Sequence, residues 1–163
     1  TRTMAKFERV DGGVKLTTNP VTLTLGGLDI EIQSVFTILE GDGEIITERI
    51  ILNDIGDEQV TFNEYFTGAF GTTEYQADMT KLTLGVDEDS MQFSYHGKKI
   101  TKENASRAYV NIPDVMTLVE MGGECDNAYV EEGIAFSPVY HLGLNKTISK
   151  GGVKTWLRLQ KAN

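Results

Sequence analysis

The chain has 163 residues, 40% hydrophobic and 24% charged, with 15 Lys and Arg against 24 Asp and Glu and a formal net charge of −9. That length suits one domain, and the balance is that of a globular chain rather than a disordered or collagen-like one. An acidic surface repels phosphate backbones, which excludes nucleic acid as a partner class, and no run approaches the ~18 apolar residues of a membrane helix.

Residues 14–18 and 21–25 are short runs rich in Val, Leu and Thr, separated by Asn19-Pro20 and closed by Gly26-Gly27. From Leu28 to Leu39 alternation is clearest: Leu28, Ile30, Ile32, Phe36 and Ile38 share one face, while Asp29, Glu31, Gln33 and Thr37 take the other. A half-buried strand has that period of two. Glu40-Gly41-Asp42-Gly43 supplies a tight turn, and the Ile-rich return strand 44–52 is expected to be partly buried on both faces before a polar turn at 53–58. Further strands are predicted at 60–66, 81–86, 91–95, 107–112, 128–131, 134–142 and 153–159. One helix candidate stands out at 114–121, with Pro113 at a first-turn position and Gly122-Gly123 at its end, although Val-Met-Thr-Leu-Val-Glu-Met suits a strand equally well. Turn signals about every 8 to 14 residues predict an all-β chain: an antiparallel β-sandwich of about nine to twelve strands with at most one short helix. It is read as a single domain over residues 1–163, itself a subunit or fragment of a larger assembly. No signal peptide opens the chain and it holds a single cysteine, Cys125, so a soluble protein is expected, cytoplasmic or secreted.

Two segments bring polar and aromatic groups together. In the stretch from Phe70 to Thr80, Glu74 and Asp78 are candidate paired carboxylates and Tyr75 a stacking platform, a set that suits a sugar; the alternative is a crossover in which Thr and Asp cap turns. Near the C-terminus, Glu131 and Glu132 lie beside Tyr140 and His141 in sequence, and an imidazole near a carboxylate is the minimum for general acid–base chemistry. The structural alternative there is a partly buried His141 bonded to backbone, with both acids facing water. His96 reads as a turn residue. Trp156, in Val-Lys-Thr-Trp-Leu-Arg-Leu, is either core, rim or a sugar-stacking platform.

Two histidines and one cysteine are too few for a closed zinc site. Calcium has oxygen donors at Asp87-Glu88-Asp89 and at Asp54, Asp57 and Glu58, without the spacing of a helix-loop-helix site, and no cofactor is expected. There is no Gly-x-Ser-x-Gly elbow, and Cys125 sits between Glu124 and Asp126, where negative charge disfavours a thiolate; no catalytic residue is assigned.

The segment Ile32 to Leu52, in which Phe36-Thr37-Ile38 turns through Gly41-Asp42-Gly43 into Glu44-Ile45-Ile46-Thr47, resembles hairpins of the supersandwich, or galactose-mutarotase-like, β-domains of bacterial carbohydrate-active enzymes. The resemblance implies a domain that binds a sugar or buttresses a catalytic partner. The function expected is therefore a non-catalytic β-sandwich domain that binds carbohydrate or packs against a catalytic protein, with a protein partner or a homo-oligomer. Two other readings stand beside it: a filament or surface-layer subunit whose residues 1–18 pair with a neighbour's sheet edge, and a small enzyme using Glu131 or Glu132 with His141.

Overall fold

The computed structural model describes residues 5–41, 43–55, 59–69, 78–135, 137–148 and 151–161. The alternating segments become strands β1 (Ala5–Val10), β2 (Gly13–Thr18), β3 (Val21–Leu25), β4 (Leu28–Leu39), β5 (Glu44–Ile51), β6 (Val60–Ala69) and β7 (Thr83–Val86). They continue as β8 (Asp89–Gln92), β9 (Lys99–Glu103), β10 (Arg107–Ile112), β11 (Thr117–Gly123), β12 (Asn127–Glu132), β13 (Val139–Ile148) and β14 (Lys154–Lys161). A ten-stranded sheet runs β1-β2-β4-β5-β14-β11-β10-β7-β8, with β3 also paired to β4, and a four-stranded sheet runs β6-β13-β12-β9. Every ladder is antiparallel. The expected all-β antiparallel sandwich is what forms, with fourteen strands among the described residues rather than nine to twelve.

Several elements differ from expectation, each for a local reason. The helix candidate 114–121 is a single 3-10 turn, Pro113–Val115, followed by β11. Pro113 does open the turn, but Met116 at φ 47° ends it in the left-handed region, after which Val119 and Met121 alternate into the core. Two strands carried no sequence expectation: β1, whose apolar alternation is interrupted by Arg9, and β9, where Ile100 is the lone apolar residue. Charged edge strands of this kind owe their structure to a partner ladder. The expected strand 134–142 begins only at Val139, and Ile134 forms an isolated bridge with His96. Residues 5–18 pair within the chain as β1 and β2, which weighs against a filament in which that segment is donated to a neighbour.

The main core fills the space between the four-stranded sheet and β14, β11, β10 and β7 of the larger one. Leu82, Leu84, Val110, Ala128, Val130 and Leu142 are fully buried in it. Glu132 points into this core and is 2% exposed. It is matched by donors: Ser94 N–H at 2.6 Å, Ser94 Oγ at 2.8 Å, His96 N–H at 3.0 Å and Lys98 N–H at 3.3 Å. Burial pushes its carboxyl up, but these bonds outweigh burial and hold it below the usual glutamate value. Glu132 is thus the anchor of the segment 94–98.

Four aromatic–glycine pairs recur in this two-layer region: Tyr140 opposite Gly68, Tyr109 opposite Gly85, Trp156 opposite Gly122 and Tyr129 opposite Gly143. In each the ring lies across the glycine so closely that a Cβ there would meet it at 2.0 to 2.5 Å. The missing side chain lets the ring lie flat on the sheet.

The larger sheet extends beyond its cover. Among the described residues nothing lies over the corresponding face of β1, β2 and the C-terminal part of β4, so Phe7 and Ile45 are 59% and 43% exposed. β5 is partly buried on both faces, as expected: Ile51 is buried on one and Glu44, paired with Arg158, on the other, while Ile45 faces solvent.

Candidate functional site

The outward face of the four-stranded sheet is set by ladder register. Lys99, Glu131, His141 and Thr67 form one line across its strands; Thr101, Tyr129, Gly143 and Tyr65 form the next; Glu103, Asn127, Asn145 and Asn63 form the third. These three lines contain aromatic, amide, hydroxyl, carboxylate, ammonium and imidazole groups, and the aliphatic Val139 follows on the same face in the next line. Period two explains the sorting: Ala128, Val130, Leu142 and Leu144 take the alternate positions and are buried beneath it.

Within the grid, His141 Nδ1 and Thr67 Oγ1 lie 2.8 Å apart. Whichever of the two carries the proton, the bond fixes the ring and leaves Nε2 out of it. Glu131 stands directly opposite His141. Tyr129 Oη donates to Asn63 Oδ1 at 2.9 Å, and Lys99 Nζ sits 4.6 Å from the Tyr129 ring centroid. Tyr129 is therefore tucked down, 8% exposed, whereas Tyr65 is 64% exposed and offers a bare ring face. Asn63, Tyr65, Tyr129, Glu131 and His141 together line a shallow depression of about 240 Å³. That lies below the roughly 300–1,000 Å³ of drug-sized pockets and suits a single small ring.

The sequence candidates are distributed unevenly. Glu131 and His141 come together, but Tyr140 does not join them: it faces the core, 3% exposed, and burial raises its phenol to about 12. Glu132 likewise points away from His141, so an acid–base pair drawn from these residues has Glu131 as its acid. His141 bonds a threonine hydroxyl rather than backbone. Trp156 lies on the outer face of the other sheet, over Gly122, among the ion pairs Arg107–Glu120, Arg158–Glu44 and Lys154–Glu48. Asp78 accepts from Thr80 N–H at 3.1 Å and Thr80 Oγ1 at 2.6 Å, capping the turn Met79–Lys81, and these bonds lower its carboxyl pKa. Glu74 and Tyr75 lie outside the described residues. Tyr65, Tyr129, Asn63 and Thr67 carried no sequence expectation. The available signal was parity, since an aromatic at 65 interrupts the otherwise polar side of β6.

The acidic turns offered to calcium are engaged within the chain. Asp87 accepts from the backbone of Ser106 and Arg107, Lys102 contacts Glu88 and Asp89, and Asp54 accepts from Gly151 N–H. Asp57 and Glu58 lie outside the described residues, and among those described no cluster of three His, Cys, Asp or Glu is arranged to hold a metal ion. The Cys125 thiol is pushed up chiefly by burial, with the Asp126 charge adding to it, and it donates to Ala105 O. Among the described residues no helix is long and apolar enough to cross a membrane.

No protein-family model matches the sequence, and no curated protein is similar to it. Solved structures do share its fold, that of the galactose-mutarotase-like β-domains. The Slr1438 protein of Synechocystis sp. PCC 6803 superposes with a TM-score of 0.60 at 12% identity, over 98% of this chain and 65% of its own. A galactose mutarotase related enzyme from Lactobacillus acidophilus gives 0.60 at 5% identity, over 98% of this chain and 71% of its own. The alpha-N-acetylgalactosaminidase NagBb of Bifidobacterium bifidum gives 0.56 at 14% identity, over 99% of this chain but 28% of its own. The likeness is one of fold, and the chain spans about two thirds of the first of these proteins.

Proposed function

We propose that this chain is a carbohydrate-binding β-domain that holds a sugar ring on the outward face of its four-stranded sheet and serves a catalytic partner. The observation that carries the proposal is the composition of that face: one exposed aromatic, Tyr65, beside Asn63, Glu131 and the oriented His141. Sugars present an apolar C–H face and a rim of hydroxyls, and a bare aromatic ring flanked by planar polar side chains complements both. Tyr65 stacks against the ring, Glu131 accepts hydrogen bonds from hydroxyls, Asn63 contributes an amide, and His141 Nε2 donates or accepts according to its tautomer. The fold's occurrence in proteins described as a mutarotase related enzyme and an alpha-N-acetylgalactosaminidase supports this substrate class.

The test is a titration of the chain with a panel of monosaccharides, including galactose and N-acetylgalactosamine, followed by amide chemical shifts. Affinity near 1 mM is expected, about −4 kcal/mol, with shifts on β6, β12 and β13. Tyr65→Ala and His141→Ala should each weaken it about tenfold or more, and Trp156→Ala should not. Silence toward the whole panel, or a loss that follows Trp156 instead, refutes this site. Turnover of a bound sugar that His141→Ala abolishes would place the chain among the enzymes instead.

A further inference from the structure

The ten-stranded sheet has one face on which side chains of a single ladder row pass from full burial to solvent. Leu84, Val110, Val119 and Leu159 continue through Ile45 and Ile38 to Val14, each directly opposite the next. The first three are 0%, 0% and 2% exposed, whereas Ile45 is 43% exposed, because the four-stranded sheet stops at β6. Beyond β6 the same face presents Phe7, Leu16, Leu23, Phe36, Ile38 and Ile45.

We infer that this open face is covered by the same face of a second copy of the chain, in a closed twofold dimer. Three observations select that occupant. The first is charge: in a chain of net charge −9, this face of β1 to β5 holds no acid among the described residues, and its charged side chains are Arg9 and Arg49. Arg49 is paired with Glu64, so two copies meeting on this face bring no described acid against another. The second is exposure. Phe7, Val21, Leu23, Leu25 and Ile45, all on this face, are 38–59% exposed, and a contiguous exposed apolar patch marks an interaction surface.

The third observation is the match of widths. The open part is four strands wide, β5, β4, β2 and β1, and the covering sheet is also four strands wide. A twofold axis lying between the layers therefore sets each copy's open half in the layer of the other's small sheet. It brings edge strand β1 of one copy beside edge strand β6 of the other, with both unpaired edges covered. The apolar cleft of about 190 Å³ between β6 and β5, lined by Leu23, Ile32, Ile51, Phe62, Ile148 and Val153, is the inner end of the same face.

Sedimentation velocity and light scattering on the chain test this. Twice the 18.0 kDa chain mass is expected at micromolar concentration. Phe7→Glu and Ile45→Glu, both at exposed positions, should raise the dimer dissociation constant at least a hundredfold while leaving the circular dichroism unchanged. Lys15→Glu, on β2 but on the opposite face, should leave the dimer intact. A monomeric wild type, an open-ended assembly, or a dimer that survives both Phe7→Glu and Ile45→Glu overturns the inference. So does dissociation by Lys15→Glu. None of these outcomes bears on the sugar face, which lies on the far side of the small sheet.

Discussion

The two halves of the large sheet are built from the same alphabet and end in different states. On β7, β10 and β11 the inward positions Leu84, Val110 and Val119 are buried; on β1 and β5 the corresponding inward positions Phe7 and Ile45 are among the most exposed apolar side chains described. Nothing in local patterning separates them. What differs is the layer above, since β6, β13, β12 and β9 cover one half and not the other. Alternation therefore reports which face of a strand is apolar, and burial is decided by whether a second layer arrives.

The aromatic–glycine pairs sharpen the contrast, because Gly68, Gly85, Gly122 and Gly143 all lie on strands of the two-layer half. That half is pinned by rings laid flat on the sheet and by a buried carboxylate. In the open half no ring lies across a described glycine, and its buried carboxylate, Glu44, sits on the opposite face from the apolar one.

The largest expected effect comes from cutting into the covered half. Leu84→Ala should cost about 3–4 kcal/mol in urea unfolding, as a fully buried leucine whose site cannot collapse. If it costs less than Ile45→Ala, the contrast is wrong. Glu132→Ala should cost about 3 kcal/mol, because three backbone N–H groups and the Ser94 hydroxyl lose their acceptor inside the protein. The same carboxylate gives a pH signature. Its folded pKa is depressed below the ordinary value of 4.5, so its contribution to stability is fully present above that pH and is lost as pH falls through the lower folded value. Unfolding midpoints measured down through the acid range should drop there in the wild type and less steeply in Glu132→Gln.

Gly143→Ala comes next, at about 2 kcal/mol, since the added methyl would stand 2.5 Å from the Tyr129 ring and would tilt it off the sheet. Restoring space with Tyr129→Ala should recover part of that loss, a coupling a double-mutant cycle reads directly. Ile45→Ala should be the smallest, below about 1 kcal/mol when measured on the monomer, because 43% of that residue is already in solvent.

Much of the architecture was legible in the residues. The segment Leu28 to Leu39 alternates apart from Ser34-Val35 and Leu39 and forms β4 with those limits, and Gly41 and Gly43 flank the turn into β5. The segment 114–121 was not legible as strand or helix, since its apolar residues satisfy both periods; pairing of Val119 with Val110 and Leu159 settled it. Of the candidate site, Glu131 and His141 were recognisable as polar neighbours in sequence, yet their juxtaposition with Thr67 and Tyr65 comes from a ladder that joins residues more than 70 positions apart. Tyr140, next to His141 in sequence, faces the core instead, because adjacent residues on a strand face opposite ways and only the direction of the core says which way is in.

By itself, the sequence determined the class of fold, the positions of most strands and turns, and a net negative charge, because these follow from side-chain period, glycine placement and composition. The tertiary structure alone decided which apolar faces are covered, which carboxylate is buried and bonded, and which polar groups share a surface. Those are properties of register and layering, fixed when distant strands pair, and no local window of residues contains them.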